Sequence, residues 1–174
     1  YQDAQGIDKI QKYASLFGLD QKSGVEIEEM DPHVSDTDAV RSSIGQGTNN
    51  YAPVQLARYV TTIANEGNCY DLTLVNEIKN IDGRTVYKSD NVPKNTVDLT
   101  DSQWAVIKQG MRQMVSEHTS PSALINQINV NVAGKTGTAE EDTTRPDHAL
   151  FVSFAPYENP EVSVTCVIPH GYTS

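Results

Sequence analysis

Apolar positions follow two periods along this chain, and the change from one to the other divides it. Ile7, Ile10, Tyr13, Ala14 and Phe17 recur at spacings of three and four, the stripe of an amphipathic helix over 7–17, with Gly18 as its stop. Pro53 suits a first helical turn. Behind it Val54, Leu56, Ala57, Val60, Ile63 and Ala64 form a broad apolar face that ends before Gly67, which predicts a core helix. Thr100 and Gln103 have the spacing of a capping box, and Trp104, Ile107, Met111, Met114 and Val115 then predict a second core helix to about His118, despite Gly110. Ser120-Pro121 opens a shorter helix through Ile128. From Val130 onward the period shortens. Residues 132–140, 148–156 and 161–169 predict three strands, the last two closed by proline, and their short connections favour an antiparallel meander.

Two stretches lack a sustained period. Residues 20–50 are rich in Asp, Glu, Ser, Gly and Asn and predict a long loop ending in "SSIGQGTNNYA", where Gly45 and Gly47 permit backbone angles that other residues resist. Residues 72–88 alternate in part and break at Asp82-Gly83, a pair that favours a tight turn between two short strands. Helices first and strands last give an α+β fold, an antiparallel sheet packed with helices. A length of 174 residues with 37% apolar content fits one domain around one main core, and no internal repeat complicates that reading.

Charge removes several functional classes. With 23 acidic and 13 basic residues the chain lacks the clustered Lys and Arg that nucleic acid or an anionic membrane surface requires. A small ligand or an uncharged surface fits better. The longest apolar run, Val162 to Ile168, falls far short of the roughly 18 residues of a membrane span, so the chain itself reads as soluble. The chain starts at Tyr1 without signal-peptide features, as expected of an excerpt from a longer protein. Cys69 and Cys166 stand far apart without metal-like neighbours and read as unpaired, and His33, His118, His148 and His170 show no zinc spacing. No metal or cofactor is expected.

The remaining chemistry concentrates in "VAGKTGTAEED", residues 132–142. On an extended strand Thr136 and Thr138 share one face while Lys135 points from the other. Paired hydroxyls can grip a carboxylate. A fixed ammonium can steady a developing anion, and Gly137 leaves room for another backbone along the strand edge. Three readings fit these residues alone: a structural strand with a solvated lysine, a peptide-binding edge, or part of an enzyme site.

Beyond that triplet the chain resembles, in order, the transpeptidase domain of class B penicillin-binding proteins. "GIDKIQKYASLFGL" (6–19), "SGVEIEE" (23–29), "IGQG" (44–47), "YAPVQLARYVTTIANEG" (51–67), "AGKTGTAE" (133–140) and "HALFVSFAP" (148–156) carry the resemblance. It covers most of the chain. There are departures. Family members hold their nucleophile in Ser-x-x-Lys, and no serine here has lysine three positions on. Ser89-Asp90-Asn91 has the lettering of the family's second motif but follows the "IGQG" helix, where the family has a surface hairpin, and is set aside. The first two motifs are expected upstream of Tyr1 and the family's final, sheet-covering helix beyond Ser174. Ala52 stands where a threonine cap is usual and should weaken that helix end.

The resemblance implies a membrane-anchored peptidoglycan D,D-transpeptidase acting on the outer face of the bacterial cytoplasmic membrane. Its substrate would be the D-Ala-D-Ala end of a stem peptide, its inhibitors β-lactam antibiotics, its partners other cell-wall synthesis proteins. Lys135 would supply charge beside the nucleophile, Thr136, Gly137 and Thr138 would bind the substrate, and the backbone N–H of Thr138 would form half of an oxyanion hole. This portion of the domain, lacking the serine, is expected to be inactive alone and, with apolar surface uncovered, able to self-associate. The alternatives on the same fold are a β-lactam sensor, a β-lactamase, or a non-catalytic wall-binding module.

Overall fold

A computed structural model describes residues 2–117, 125, 127–140 and 144–171. In chain order the elements are α1 (Gln2–Leu16), α2 (Ala39–Ser43), α3 (Pro53–Ala64), β1 (Asn68–Cys69), β2 (Glu77–Lys79), β3 (Thr85–Lys88), β4 (Asn95–Thr96), α4 (Asp101–Glu117), β5 (Ala133–Ala139), β6 (His148–Ala155) and β7 (Val162–Ile168). The last three strands form the main sheet, antiparallel throughout in the order β5-β6-β7, as the sequence pattern requires. Two small two-stranded pairs, β1 with β4 and β2 with β3, complete the strand pairing among the described residues.

Register divides the faces of the sheet. Ala133 lies opposite Phe154 and Lys135 opposite Val152, whereas Gly134 faces Ser153 and Thr136 faces Phe151. Directly opposed residues share a face. The first set meets α3 and α4: Val60 and Ile63 of α3, Met111 of α4, Ala133 and Phe154 form the buried cluster, with Phe17, Tyr59, Val152 and Tyr157 packed around it. Phe17 stands edge-on to Tyr59 and to Trp104, with ring centroids 5.1 and 6.4 Å apart. Thr61 and Ser163 join α3 to β7 through hydroxyl oxygens 2.7 Å apart. On the opposite face β7 presents Val162, Val164 and Ile168 more than half exposed, with Cys166 exposed beside them.

Several expectations are refined. The first helix begins at Gln2 rather than near Ile7, because its early turns rest on α2 rather than on an apolar stripe. The Ala39 N–H donates to Asp3 at 2.7 Å, and a Cβ on Gly6 would stand 2.6 Å from that of Ala39. The predicted loop over 20–50 contains α2 and the bridge His33 to Asn50, held by polar groups with no hydrophobic period. The hairpin at 77–88 is present but exposed on both faces, and Asn80 organises its turn, accepting from Asp82 and Arg84 at 3.0 and 2.9 Å. The capping box of α4 is present, the Thr100 N–H donating to Gln103 at 2.9 Å. At α3, Gln55 performs the reverse half of a box, accepting from the Ala52 N–H at 2.9 Å, and so offsets part of the missing threonine. The helix expected over 120–128 lies largely outside the described residues. Cys69 is buried and Cys166 exposed, both free. Among the described residues no helix is long and apolar enough to cross a membrane.

Gly67 is required after α3, at φ 97°, since a Cβ there would lie 2.4 Å from the Val97 carbonyl oxygen. The most consequential buried polar group is Arg58, 1% exposed on α3. Its guanidinium donates to the carbonyls of Gly18, Gln21 and Lys22 and to Asp71. Arg58→Ala should therefore lower stability by about 3 kcal/mol or more, because several buried acceptors lose their donor at once. Arg58→Lys should recover little, as one ammonium cannot span the fork. Urea denaturation midpoints of the three proteins check this, and an Arg58→Ala midpoint equal to wild type refutes it.

Candidate active site

Lys135, Thr136, Gly137 and Thr138 occupy the middle of β5, which stands at one edge of the described sheet. Their peptide groups can be phased. The Gln46 side-chain amide donates to the Thr138 carbonyl at 3.0 Å, so that carbonyl faces away from β6. In an antiparallel ladder a residue's N–H and C=O point to the same side and alternate along the strand. Gly134, Thr136 and Thr138 thus direct their backbone groups outward, while Lys135 and Gly137 pair with Val152 and Leu150. The Lys135 ammonium agrees with this phase, donating to the Thr136 carbonyl at 2.6 Å.

Side chains obey the second alternation. Thr136 and Thr138 lie on one face and Lys135 and Gly137 on the other, as expected from the sequence. Lys135 and Thr138 are exposed, Thr136 and Gly137 half-buried. Lys135 lies on the face that packs against α3 and α4, but past the point where Ala133 closes that core. Among the described residues no carboxylate pairs with its ammonium, so the charge is held by a backbone dipole at the strand edge. The strand therefore offers a cation, outward N–H and C=O groups, and two hydroxyls within four consecutive residues, 135–138.

The two glycines of the strand differ in what they do. A Cβ on Gly134 would meet the Phe151 ring at 2.8 Å and the Val152 carbonyl oxygen at 2.9 Å, so the fold itself needs that glycine. At Gly137 a Cβ would only touch Leu150 at 3.5 Å, an ordinary contact. Packing within the described residues does not require a bare backbone at Gly137.

One residue beyond those singled out from sequence joins the site. Gln46 extends from the loop after α2, whose neighbours Gly45 and Gly47 sit at φ 83° and 87°. A long polar side chain between two glycines of left-handed conformation was the available signal. Beneath it Tyr51 donates to Asn49 at 2.8 Å, and burial pushes the Tyr51 hydroxyl up from 10.0 to about 12. Ser89, Asp90 and Asn91 lie at the foot of the β2–β3 hairpin, where the Ser89 N–H closes the pair by donating to the Asn76 carbonyl at 2.9 Å. His148 and His170, 22 positions apart, come together at the start of β6, the His170 N–H donating to His148 Nδ1 at 3.1 Å. No group of three metal-ligating side chains exists among the described residues.

Residues 2–174 match the penicillin binding protein transpeptidase domain. The chain belongs to that family. Its relatives include penicillin-binding protein 2B of Streptococcus pneumoniae, 29% identical over 95% of this chain and 26% of that protein. The peptidoglycan D,D-transpeptidase PbpA of Mycolicibacterium smegmatis is 31% identical over 95% of this chain and 35% of that protein. The chain thus spans about a quarter to a third of these curated relatives. Among solved structures, penicillin-binding protein 2B of S. pneumoniae superposes with a TM-score of 0.80 at 28% identity, covering 94% of this chain and 29% of that one. Penicillin-binding protein A of M. tuberculosis, solved as an imipenem acyl-enzyme complex, gives 0.81 at 27% identity, covering 94% of this chain and 38% of that one. The resemblance to class B members and the α+β transpeptidase fold both stand.

Two predictions follow from the geometry of this transpeptidase domain. Gly134→Ala should lower the denaturation midpoint by an amount equivalent to about 1–3 kcal/mol, while Gly137→Ala stays within about 0.5 kcal/mol of wild type. Equal losses at both would contradict the contacts described. In an alkaline titration, Tyr51→Phe should remove a tyrosinate component with a midpoint of about 12. Because the folded-state value is raised, the protonated hydroxyl's contribution to stability is complete below pH 10.0 and is lost as pH rises through about 12.

Proposed function

We propose that this chain forms the substrate-binding wall of a peptidoglycan D,D-transpeptidase. The observation that carries the reading is β5 itself: Lys135, Thr136, Gly137 and Thr138 at an outward-facing strand edge, in a chain that matches the transpeptidase domain over residues 2–174. An extended D-Ala-D-Ala terminus fits along such an edge, because main-chain groups of the strand can bond it and Gly137 leaves its backbone room to approach. Thr136 and Thr138 hydroxyls would take the terminal carboxylate. The ammonium of Lys135 would lie beside the reacting serine.

The nucleophile is not in this sequence, since no serine has lysine three residues on. The relatives exceed the chain three- to fourfold in length, so another part of the protein is the proposed source of the serine and of the membrane anchor. Its Oγ would attack the carbonyl of the penultimate D-alanine, with a general base taking the hydroxyl proton. The resulting oxyanion is stabilised by the Thr138 N–H and a second backbone donor. Collapse expels D-alanine, whose nitrogen gains a proton, and leaves a seryl ester. An amine from a neighbouring strand then attacks the ester and restores the serine. Two moderate barriers replace one high barrier. A β-lactam follows the first half of this path and stays bound as an ester.

The test is covalent labelling with a fluorescent penicillin. The whole protein should give a labelled band that survives denaturation, and residues 1–174 alone should give none. Lys135→Ala in the whole protein should slow labelling by about 10²-fold or more while leaving the denaturation midpoint near wild type. A labelled 1–174 chain would overturn the division of the site, and an unlabelled whole protein would overturn the transpeptidase reading. Rapid release of hydrolysed antibiotic would instead favour a β-lactamase.

A further inference from the structure

We infer that Gln46 is a positioning residue that fixes the outer edge of β5 and thereby aims the Thr138 N–H; this rests on the transpeptidase reading above. The ladder to β6 restrains Lys135 and Gly137 through their inward backbone groups but leaves the outward groups of Thr136 and Thr138 to other partners. At Thr138 that partner includes the Gln46 amide, which donates to the carbonyl at 3.0 Å across 92 residues of chain. A peptide plane held on one side only can rock about the strand axis. The Thr138 carbonyl shares its plane with the Ala139 N–H, which faces β6, so that plane is held on both sides; the Thr138 N–H lies in the neighbouring plane across Thr138 Cα, and fixing the first plane limits the rotation by which the second could tilt away from a transient oxyanion.

The loop that carries Gln46 has little freedom of its own. The Gln46 N–H donates to the Arg41 carbonyl at 3.1 Å, and the Gln46 carbonyl accepts from the Asn49 amide at 3.0 Å. A Cβ on Gly47 would stand 2.8 Å from Ser42 Oγ and 2.9 Å from Ser35 Oγ. Those two serines are 6% and 0% exposed, with oxygens 2.6 Å apart, so that one hydroxyl donates to the other while the second can donate to the Thr37 carbonyl, which lies 3.0 and 3.2 Å from the two oxygens. Asn49 locks the arrangement further, accepting from the Ser35 N–H at 2.9 Å and from the Tyr51 hydroxyl. This buried polar network ends in one solvent-exposed hydrogen bond to Thr138. An exposed bond of that kind adds little to stability, so its consequence is orientation.

The experiment uses the whole protein and a chromogenic cephalosporin under saturating stopped-flow conditions, which separate the pre-acylation Kd from the acylation constant k2. Gln46→Glu keeps the shape and removes the donor; Gln46→Lys restores a donor of similar reach. Gln46→Glu should lower k2 by about 10- to 100-fold, with Kd within about threefold and the thermal midpoint unchanged. Gln46→Lys should recover most of the lost k2. A k2 equal to or above wild type in Gln46→Glu overturns the inference, and so does a fall in k2 that tracks a fall in thermal midpoint or that Gln46→Lys does not relieve. A wild-type protein that is never acylated overturns the transpeptidase reading, and this inference with it.

Discussion

The fold depends on a single buried cation. Arg58 lies on the side of α3 that turns from the sheet, and its guanidinium gathers the carbonyls of Gly18, Gln21 and Lys22, which would otherwise be orphaned where α1 ends. A positive charge is favoured there because the C-terminal end of a helix carries partial negative charge. Gly18 serves the arrangement twice. Its φ of 72° turns the chain out of the helix, and its missing side chain leaves the space that the guanidinium fills, with Cζ 2.9 Å from where a Cβ would stand. Asp71 adds the counter-charge and is itself shared with Lys94, so α1, the turn after it, α3 and the β1–β4 region meet at one group. The turn then continues in order, because Ser23 beyond it directs its N–H and hydroxyl to Glu29.

With α3 fixed on that side, its other side can act as a platform. Val60 and Ile63 pack against Phe154, and Thr61 meets Ser163. The platform sets the register of β5 and with it the faces of Lys135 and the two threonines. Ala133, fully buried opposite Phe154, holds β5 with one face against the helices. A slip of one residue would place Gly134 in that slot and exchange the faces of Lys135 and Thr136. It would also turn the outward peptide groups inward. The helix α4 opposes such a slip as well, since Arg112 donates to the Val132 carbonyl and to Asn131 at the entrance of the strand. The position of the lysine is thus decided by packing near Ala133, two residues away.

Much of this was legible in the sequence because it rests on side-chain period. The apolar stripes of α3 and α4, the switch to alternation after Val130, and the face shared by Thr136 and Thr138 all emerge from residue type and spacing. What stayed hidden is carried by backbone and by polar contacts between distant segments. Helix α2 has no apolar stripe and is set by Asp38 at its cap and Asp3 from α1, so nothing periodic announces it. Arg58 reads as one more exposed helical charge until the carbonyls around Gly18 are placed in space. Gly134 and Gly137 look equivalent in "AGKTGTAE", yet only the first lies beneath an aromatic ring from the next strand. Gln46 was visible as part of "IGQG", but its partner lies 92 residues away.

Backbone dependence also bears on how the proposed binding wall is organised within this chain. The groups proposed to bind are mostly peptide N–H and C=O groups on a strand whose inner edge is paired, and such groups keep their direction whether or not a ligand is present. A cluster of long side chains would have to be ordered anew at each binding event, at a cost of roughly 0.5–1.5 kcal/mol for each immobilised chain. Here Lys135 is the one long charged side chain, and it is already bonded to the Thr136 carbonyl of its own strand. In the proposed role beside a serine, the ammonium would leave that carbonyl or share itself with it. Restraint at the Gln46 end and mobility at the lysine end are therefore complementary: the part that must not move is held by two edges, and the part that must reach is held by a single exposed bond.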